Sequence, residues 1–189
     1  MELSHSPIEL PTFQTERLQL RPFRLSDAND VQRLAGDRAV AENTMVVPHP
    51  YEDGMAESWI ETHLATFNSG KNLNLAVVLR ESGELAGAIG LEFHPDHQNA
   101  ELGYWIGKPF WGNGYCTEAA RAMLDYGFRE RNLHRVHAKH YRKNPASGRV
   151  MEKIGMKLEG VLREHIFKWE NFEDAAIYGI LRSEFLERS

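Results

Sequence analysis

Two glycines one residue apart, Gly112 and Gly114, stand directly before a helix-forming pattern in the run Pro109-Phe110-Trp111-Gly112-Asn113-Gly114-Tyr115-Cys116-Thr117-Glu118. Glycine turns the backbone at positive φ and lets a ligand approach the main chain without meeting a Cβ. Behind the pair, Ala120, Met123, Leu124, Gly127 and Phe128 recur at helical spacing and predict an amphipathic helix to about residue 132. The unpaired amides of its first turn, joined by those of the loop, suit an anion such as a pyrophosphate. The same spacing also serves a plain strand-to-helix turn, and it matches neither the dinucleotide nor the P-loop fingerprint.

Other chemistry-bearing residues lie on either side. Arg135, Lys139, Arg142, Lys143, Arg149 and Lys153 occur with only Glu152 against them, which reads either as a solvated basic face or as a phosphate site. Cys116, the single cysteine, falls in the first turn of the expected helix, where a thiol can become nucleophilic. His134, His137 and His140 are spaced by odd numbers along an expected strand, so neighbours in the series point to opposite faces and do not converge on one metal ion. No metal site is expected.

The elements that must position these residues follow from periodicity. Leu18 and Leu20 alternate with polar residues in a first strand over 16–23, and Ser26 is the expected N-cap of a short helix carrying Val31 and Leu34. Residues 36–51, with Pro48 and Pro50, read as a long loop suited to contact a substrate. A helix is expected over 52–67, then strands at 72–79 and 85–93 joined at Ser82-Gly83, and a mostly apolar strand at 100–106. Beyond the glycine loop and its helix come a strand at 135–141, a helix at 145–154, and strands at 158–169 and 175–181. Trp59, Trp105, Trp111 and Trp169 read as core or groove walls.

With 189 residues, 42% of them hydrophobic, the chain suits one domain, taken as 13–185 behind a loose leader at 1–12. Its net charge of −5 argues against a broad nucleic-acid or membrane surface. No apolar run is long enough to span a bilayer and no signal-peptide pattern opens the sequence, so a cytoplasmic location is expected.

The order of elements, the run Tyr104-Trp105-Ile106 leading to Trp111-Gly112-Asn113-Gly114-Tyr115, and Asn144-Pro145-Ala146-Ser147 ahead of Lys153-Ile154-Gly155-Met156 resemble the GNAT N-acetyltransferases. The likeness is closest to the branch related to ribosomal-protein N-terminal acetyltransferases, and it covers about 13–185. It implies an α/β fold with a central, mixed, mostly antiparallel sheet of about seven strands and helices on both faces. Two central strands would splay to form a slot for acetyl-CoA. The resemblance assigns cofactor contacts to Tyr104, Ile106, Trp111, Gly112, Asn113, Gly114, Tyr115, Asn144 and Ser147. Pro109 departs from the Gln or Arg that usually opens this loop. In this reading the basic residues Arg142, Lys143 and Arg149 meet coenzyme A phosphates.

Acetyl transfer from a thioester to an amine requires an amine without its proton, an oxyanion stabilised, and a thiolate released. Glu101 matches the family position of a general base, and burial in its apolar strand would lift its carboxyl toward a useful pKa; pairing with a nearby Arg is the alternative. A backbone N–H near Tyr104 could meet the oxyanion. Ser147 matches the residue near the sulfur and reads equally as a first-turn helix residue, with Tyr141 a second candidate acid. Cys116 would lie beside phosphate, and direct transfer is expected. The acceptor is read as a protein N-terminal amine, with a small amine such as a polyamine or antibiotic, or a non-catalytic coenzyme-A-binding module, as alternatives. A nucleotide-binding protein is a third class. Acceptor choice would lie in 36–51, 94–98 and the turn at Glu170, and the last strands of such folds allow a homodimer.

Overall fold

In a computed structural model that describes residues 9–187, eight strands form one sheet in the order β1-β2-β3-β4-β5-β6-β8-β7. The strands are β1 (Phe13–Gln14), β2 (Leu18–Arg21), β3 (Asn72–Leu79), β4 (Leu85–His94), β5 (Asn99–Ile106), β6 (Arg135–Tyr141), β7 (Lys157–Lys168) and β8 (Asn171–Leu181). The helices are α1 (Ala28–Ala35), α2 (Arg38–Ala41), α3 (Met55–Asn68), α4 (Tyr115–Asp125), α5 (Pro145–Lys153) and α6 (Arg182–Leu186). Residues 1–8 of the expected leader lie outside the described residues.

Every pairing is antiparallel except that of β5 with β6. The eighth strand is β1, which lies ahead of the expected first strand, itself observed as β2. The Leu18 amide donates to Thr15 Oγ1 at 3.0 Å while the Thr15 amide reaches back to the Leu18 carbonyl at 2.9 Å, and this tight turn folds β1 back onto β2. Ser26 does not cap α1 as expected. Asp27 does the local work: its carboxylate accepts from the Arg24 amide at 2.7 Å and pairs with both Arg21 guanidinium nitrogens at 2.7 and 2.9 Å. The 36–51 segment is not wholly loop, since α2 forms within it where the Asp37 side chain accepts from the Ala39 amide. The short C-terminal α6 has no periodic signal in the sequence.

Strand alternation sends each strand's side chains to two faces with a core on each. On one face α4 and α5 bury Ala119, Ala120, Met123, Leu124 and Met151 against Leu73, Leu75, Ile89, Leu91, Leu102 and Val136. On the other, α1 and α3 bury Val31, Leu34, Ala56 and Ile60 against Ala76, Val78 and Leu85.

Candidate active site

The sheet opens at β5 and β6. These strands pair only at Asn99↔Arg135, Ala100↔Val136 and Glu101↔His137. Beyond that point β4 keeps β5 in register to Ile106, and β8 keeps β6 to Tyr141, so each strand is held by its outer neighbour while the two diverge. A wedge results, lined by backbone groups that lack a strand partner, and an extended ligand carrying amides can add itself to such an edge.

The glycine loop closes one end of the wedge. Gly112 and Gly114 sit at φ 79° and 80°, the left-handed region that glycine adopts at no steric cost. A Cβ at Gly112 would meet no atom within 4 Å, so the backbone angle demands glycine and the space before it is open. Gly114 starts α4 with no side chain capping it, and the amides of Gly112, Asn113 and Gly114 bond to nothing among the described residues. That leaves a row of N–H donors at a positive helix end.

Side chains brace this loop from within. Trp111 Nε1 donates to the Ile106 carbonyl at 2.6 Å, tying the loop to the end of β5. Asn113 Nδ2 donates to the carbonyls of Phe110 and Trp111 at 3.1 and 3.2 Å. Arg17, from the turn before β2, donates to the Asn113 carbonyl at 3.0 Å, pairs with Glu118 at 2.7 Å and lies over the Tyr115 ring at 4.8 Å. Sequence reading missed Arg17; nothing in a lone arginine far upstream marks it.

Across the wedge, Tyr104 of β5 meets the start of α5. Its hydroxyl lies 2.9 Å from Ser147 Oγ and donates to the Ser147 carbonyl at 3.2 Å. Burial first, and the neighbouring Cys116 second, push the Tyr104 phenol well up, against a smaller opposing effect of Ser147. The phenol therefore keeps its proton at neutral pH. Asn144 caps α5 by accepting from the Ser147 amide at 3.3 Å, and its Nδ2 reaches the Asn43 carbonyl at 3.4 Å. Ser147 is thus both a first-turn residue and a partner of Tyr104. Tyr141 is 1% exposed, and its hydroxyl has no partner among the described residues.

Cys116, in the first turn of α4, acts electrostatically on Tyr104. Burial also pushes its thiol up, opposite to the lowering that a helix start can give.

The expected upward shift of the Glu101 carboxyl needs correction. Burial pushes its carboxyl up as expected, but His137 and Lys139 together outweigh that and hold it below the usual carboxylate range. Lys139 Nζ bonds Glu101 Oε2 at 3.0 Å, and His137 Nε2 lies 3.7 Å from the same oxygen. The basic stretch is likewise mostly neutralised. Arg135 pairs with Glu159, Lys139 with Glu101, Arg142 with Asp174 and Lys143 with Glu173. Arg149 is exposed and in no ion pair among the described residues, so of the three cations expected at phosphate it is the one left available.

A cavity of about 710 Å³ lies against the wedge. Its floor includes Glu92, Glu101 and Lys139, one wall includes Tyr104 and Ser147, and Trp59 and Trp105 add aromatic surface. Residues 43–48 and Tyr51 form another wall, as the long loop suggested; the 94–98 turn takes no part. Lys168, on β7, fixes that loop by donating to the carbonyls of Ala41, Thr44 and Val47 at 2.7, 2.6 and 3.1 Å. Among the described residues, no group of three His, Cys, Asp or Glu could hold a metal ion, and no helix is long and apolar enough to cross a membrane.

Residues 17–157 match the family model described as an acetyltransferase (GNAT) domain. An uncharacterized N-acetyltransferase, YnaD of Bacillus subtilis, is 35% identical over 173 residues, covering 90% of this chain and 97% of that protein. Spermidine N(1)-acetyltransferase of Escherichia coli is 25% identical over 171 residues, covering 89% and 88%. The solved ribosomal-protein-S5-alanine acetyltransferase from Vibrio fischeri shares the fold with a TM-score of 0.80 at 19% identity, covering 93% of this chain and 98% of that one. Wedge, donor-lined helix start and the cavity beside them fit the cofactor and the reaction of that family, and the chain belongs to the GNAT N-acetyltransferases, acyltransferases that draw on acetyl-CoA.

Proposed function

We propose that this enzyme transfers an acetyl group from acetyl-CoA directly to the α-amine of a peptide or protein N-terminus. The observation that carries this reading is the cavity beside the wedge, whose lining among the described residues holds two carboxylates, Glu92 and Glu101, the latter already paired with Lys139. The loop wall, Asn43, Thr44, Met45, Val46, Val47 and Pro48, carries no acid at all. A polyamine, with several positive charges along its length, would find one free carboxylate; a peptide, with one charge and an uncharged body, would find a matching surface.

The state of Glu101 favours the same acceptor. A carboxylate held below its usual range is a weak base at neutral pH. An α-amine with a reference pKa of ~7.7–8.0 supplies a neutral fraction unaided, whereas an alkylamine near ~10.4 does not. In this account Glu101 orients the acceptor electrostatically, the neutral nitrogen bonds the acetyl carbon as the C–S bond breaks, Tyr104, protonated and bonded to Ser147, hands a proton to the departing thiolate, and the proton shed by the nitrogen restores that of Tyr104. The thiol's reference pKa of ~8.5 means that modest assistance suffices. A backbone N–H of the unpaired β5 edge near Tyr104 meets the oxyanion. Gly112, Asn113, Gly114 and the first turn of α4 bind the pyrophosphate through amides, while Asn144 positions Ser147 and Ile106 anchors Trp111. Cys116, held protonated, takes no covalent part.

The test is thiol release from acetyl-CoA with uncapped peptides and with spermidine, measured separately. Turnover on peptides well above that on spermidine supports the reading, and the reverse order assigns the site to a small polyamine.

A further inference from the structure

Four strands present a row of polar residues at one level of the sheet. Asn72 of β3 stands opposite Glu92 of β4, Glu92 opposite Glu101 of β5, and Glu101 opposite His137 of β6. Directly opposed residues put their side chains on one face about 4.5–5.5 Å apart. Here that face is the one bearing α1 and α3, and Asn72, Glu92 and Glu101 all line the cavity. The two ends of the row differ. Toward β6, Glu101 has its charge met by Lys139 and His137. Toward β3, Glu92 has no ion pair or hydrogen bond among the described residues, and Asn72 Oδ1 is buried without a donor.

Like charges directly opposite each other in a sheet are unfavourable unless something compensates them. Lys139 compensates Glu101. Among the described residues no cation pairs with Glu92, whose exposed carboxylate is left to solvent, and the orphaned Asn72 oxygen beside it adds a second acceptor without a partner. A primary ammonium carries three N–H donors and one positive charge, which matches a free carboxylate, an amide oxygen and the outer side of a second carboxylate. On the next level Gly103 keeps that face open, since a Cβ there would meet nothing within 4 Å, while beside it Gly90 makes room for Asn74, whose Oδ1 a Cβ would meet at 2.4 Å.

We propose that Glu92 is the specificity-determining residue that binds the acceptor's ammonium group, with Asn72 beside it, and that Glu101 is the inner carboxylate toward which the amine then moves. This inference rests on the reading of the cavity as the acceptor site. It places recognition of the amine on β4, one strand away from the wedge, and separates it from Tyr104 and Ser147.

The experiment measures binding without turnover. An uncapped alanine-rich tetrapeptide amide, its N-acetylated form and spermidine are each titrated by calorimetry into the protein saturated with coenzyme A. The wild type should prefer a free amine to the capped peptide, and Glu92→Gln should weaken free-amine binding by about 10- to 100-fold, the scale of one charge-assisted hydrogen bond. Binding of the capped peptide and of coenzyme A should stay unchanged, Glu92→Asp should restore part of the loss, and Glu81→Gln, on the distant β3–β4 turn, should change nothing. Retained amine preference in Glu92→Gln overturns the proposal, as does a wild type that does not distinguish the free from the capped amine. A wild type that binds amines through Glu92 but never transfers acetyl would instead count against the proposed function.

Discussion

On the face covered by α4 and α5, the molecule presents backbone; on the face covered by α1 and α3, it presents side chains. The first has the amides of Gly112, Asn113 and Gly114, the uncapped start of α4 and the open edges of β5 and β6. The second has Glu92, Glu101, Asn72, a loop wall and Lys168. Backbone recognition tolerates substitution everywhere except where a φ angle or a close approach is required, so it suits a cofactor common to a whole family. Side-chain recognition changes with each residue, which suits an acceptor that differs between relatives. The wedge joins the two, because it is the gap through which one face of the sheet reaches the other.

The comparison predicts which kinetic constant each substitution moves. Tyr104→Phe removes the hydroxyl at the junction and should lower kcat about 10²-fold, with both Michaelis constants little changed; a kcat within a factor of a few of wild type would take Tyr104 out of the chemistry. Gly112→Val forces a β-branched residue into φ 79° and should weaken acetyl-CoA binding by about 10- to 100-fold, leaving the acceptor's KM in place. Equal loss for both substrates in a folded variant would mean that the faces are not independent.

Lys168→Met should do the converse. Losing three bonds to the 41–47 carbonyls frees the loop wall, and the acceptor's KM should rise about 10-fold while acetyl-CoA binding holds. The last effect is on stability and belongs to α3. His63, 5% exposed among Trp59 and Phe23, is pushed by burial from 6.5 down to about 4. The unfolded chain takes up that proton first, so a contribution of up to ~3 kcal/mol, complete above pH ~6.5, is lost as pH falls toward 4. Melting curves between pH 7 and 4.5 should show that loss, and His63→Leu should flatten it.

The two faces also differ in how far they could be read from sequence. Gly112, Gly114 and the helical spacing behind them are local signals, and the strands at 72–79 and 135–141 follow from alternation alone. These fix the backbone side. The lowered carboxyl of Glu101 was not legible because its partners, Lys139 and His137, stand on another strand, and only the β5–β6 register reveals that they face it. The basic stretch after Arg135 seemed unpaired for the same reason, since Glu159, Glu173 and Asp174 come from β7 and β8. Lys168 reaches a carbonyl 127 residues away in sequence, and no spacing rule announces such a contact. Side-chain sites are assembled by tertiary register, and that is the information a single sequence carries least.

The most direct measurement is the rate of coenzyme A release from acetyl-CoA in the presence of an uncapped peptide, with the N-acetylated peptide as control and pH varied from 6.5 to 9. The account expects release only with the free amine, rising with pH and levelling near the acceptor's own pKa of ~8 rather than at a carboxylate's. Tight binding of acetyl-CoA with no release to any amine at any pH would contradict it.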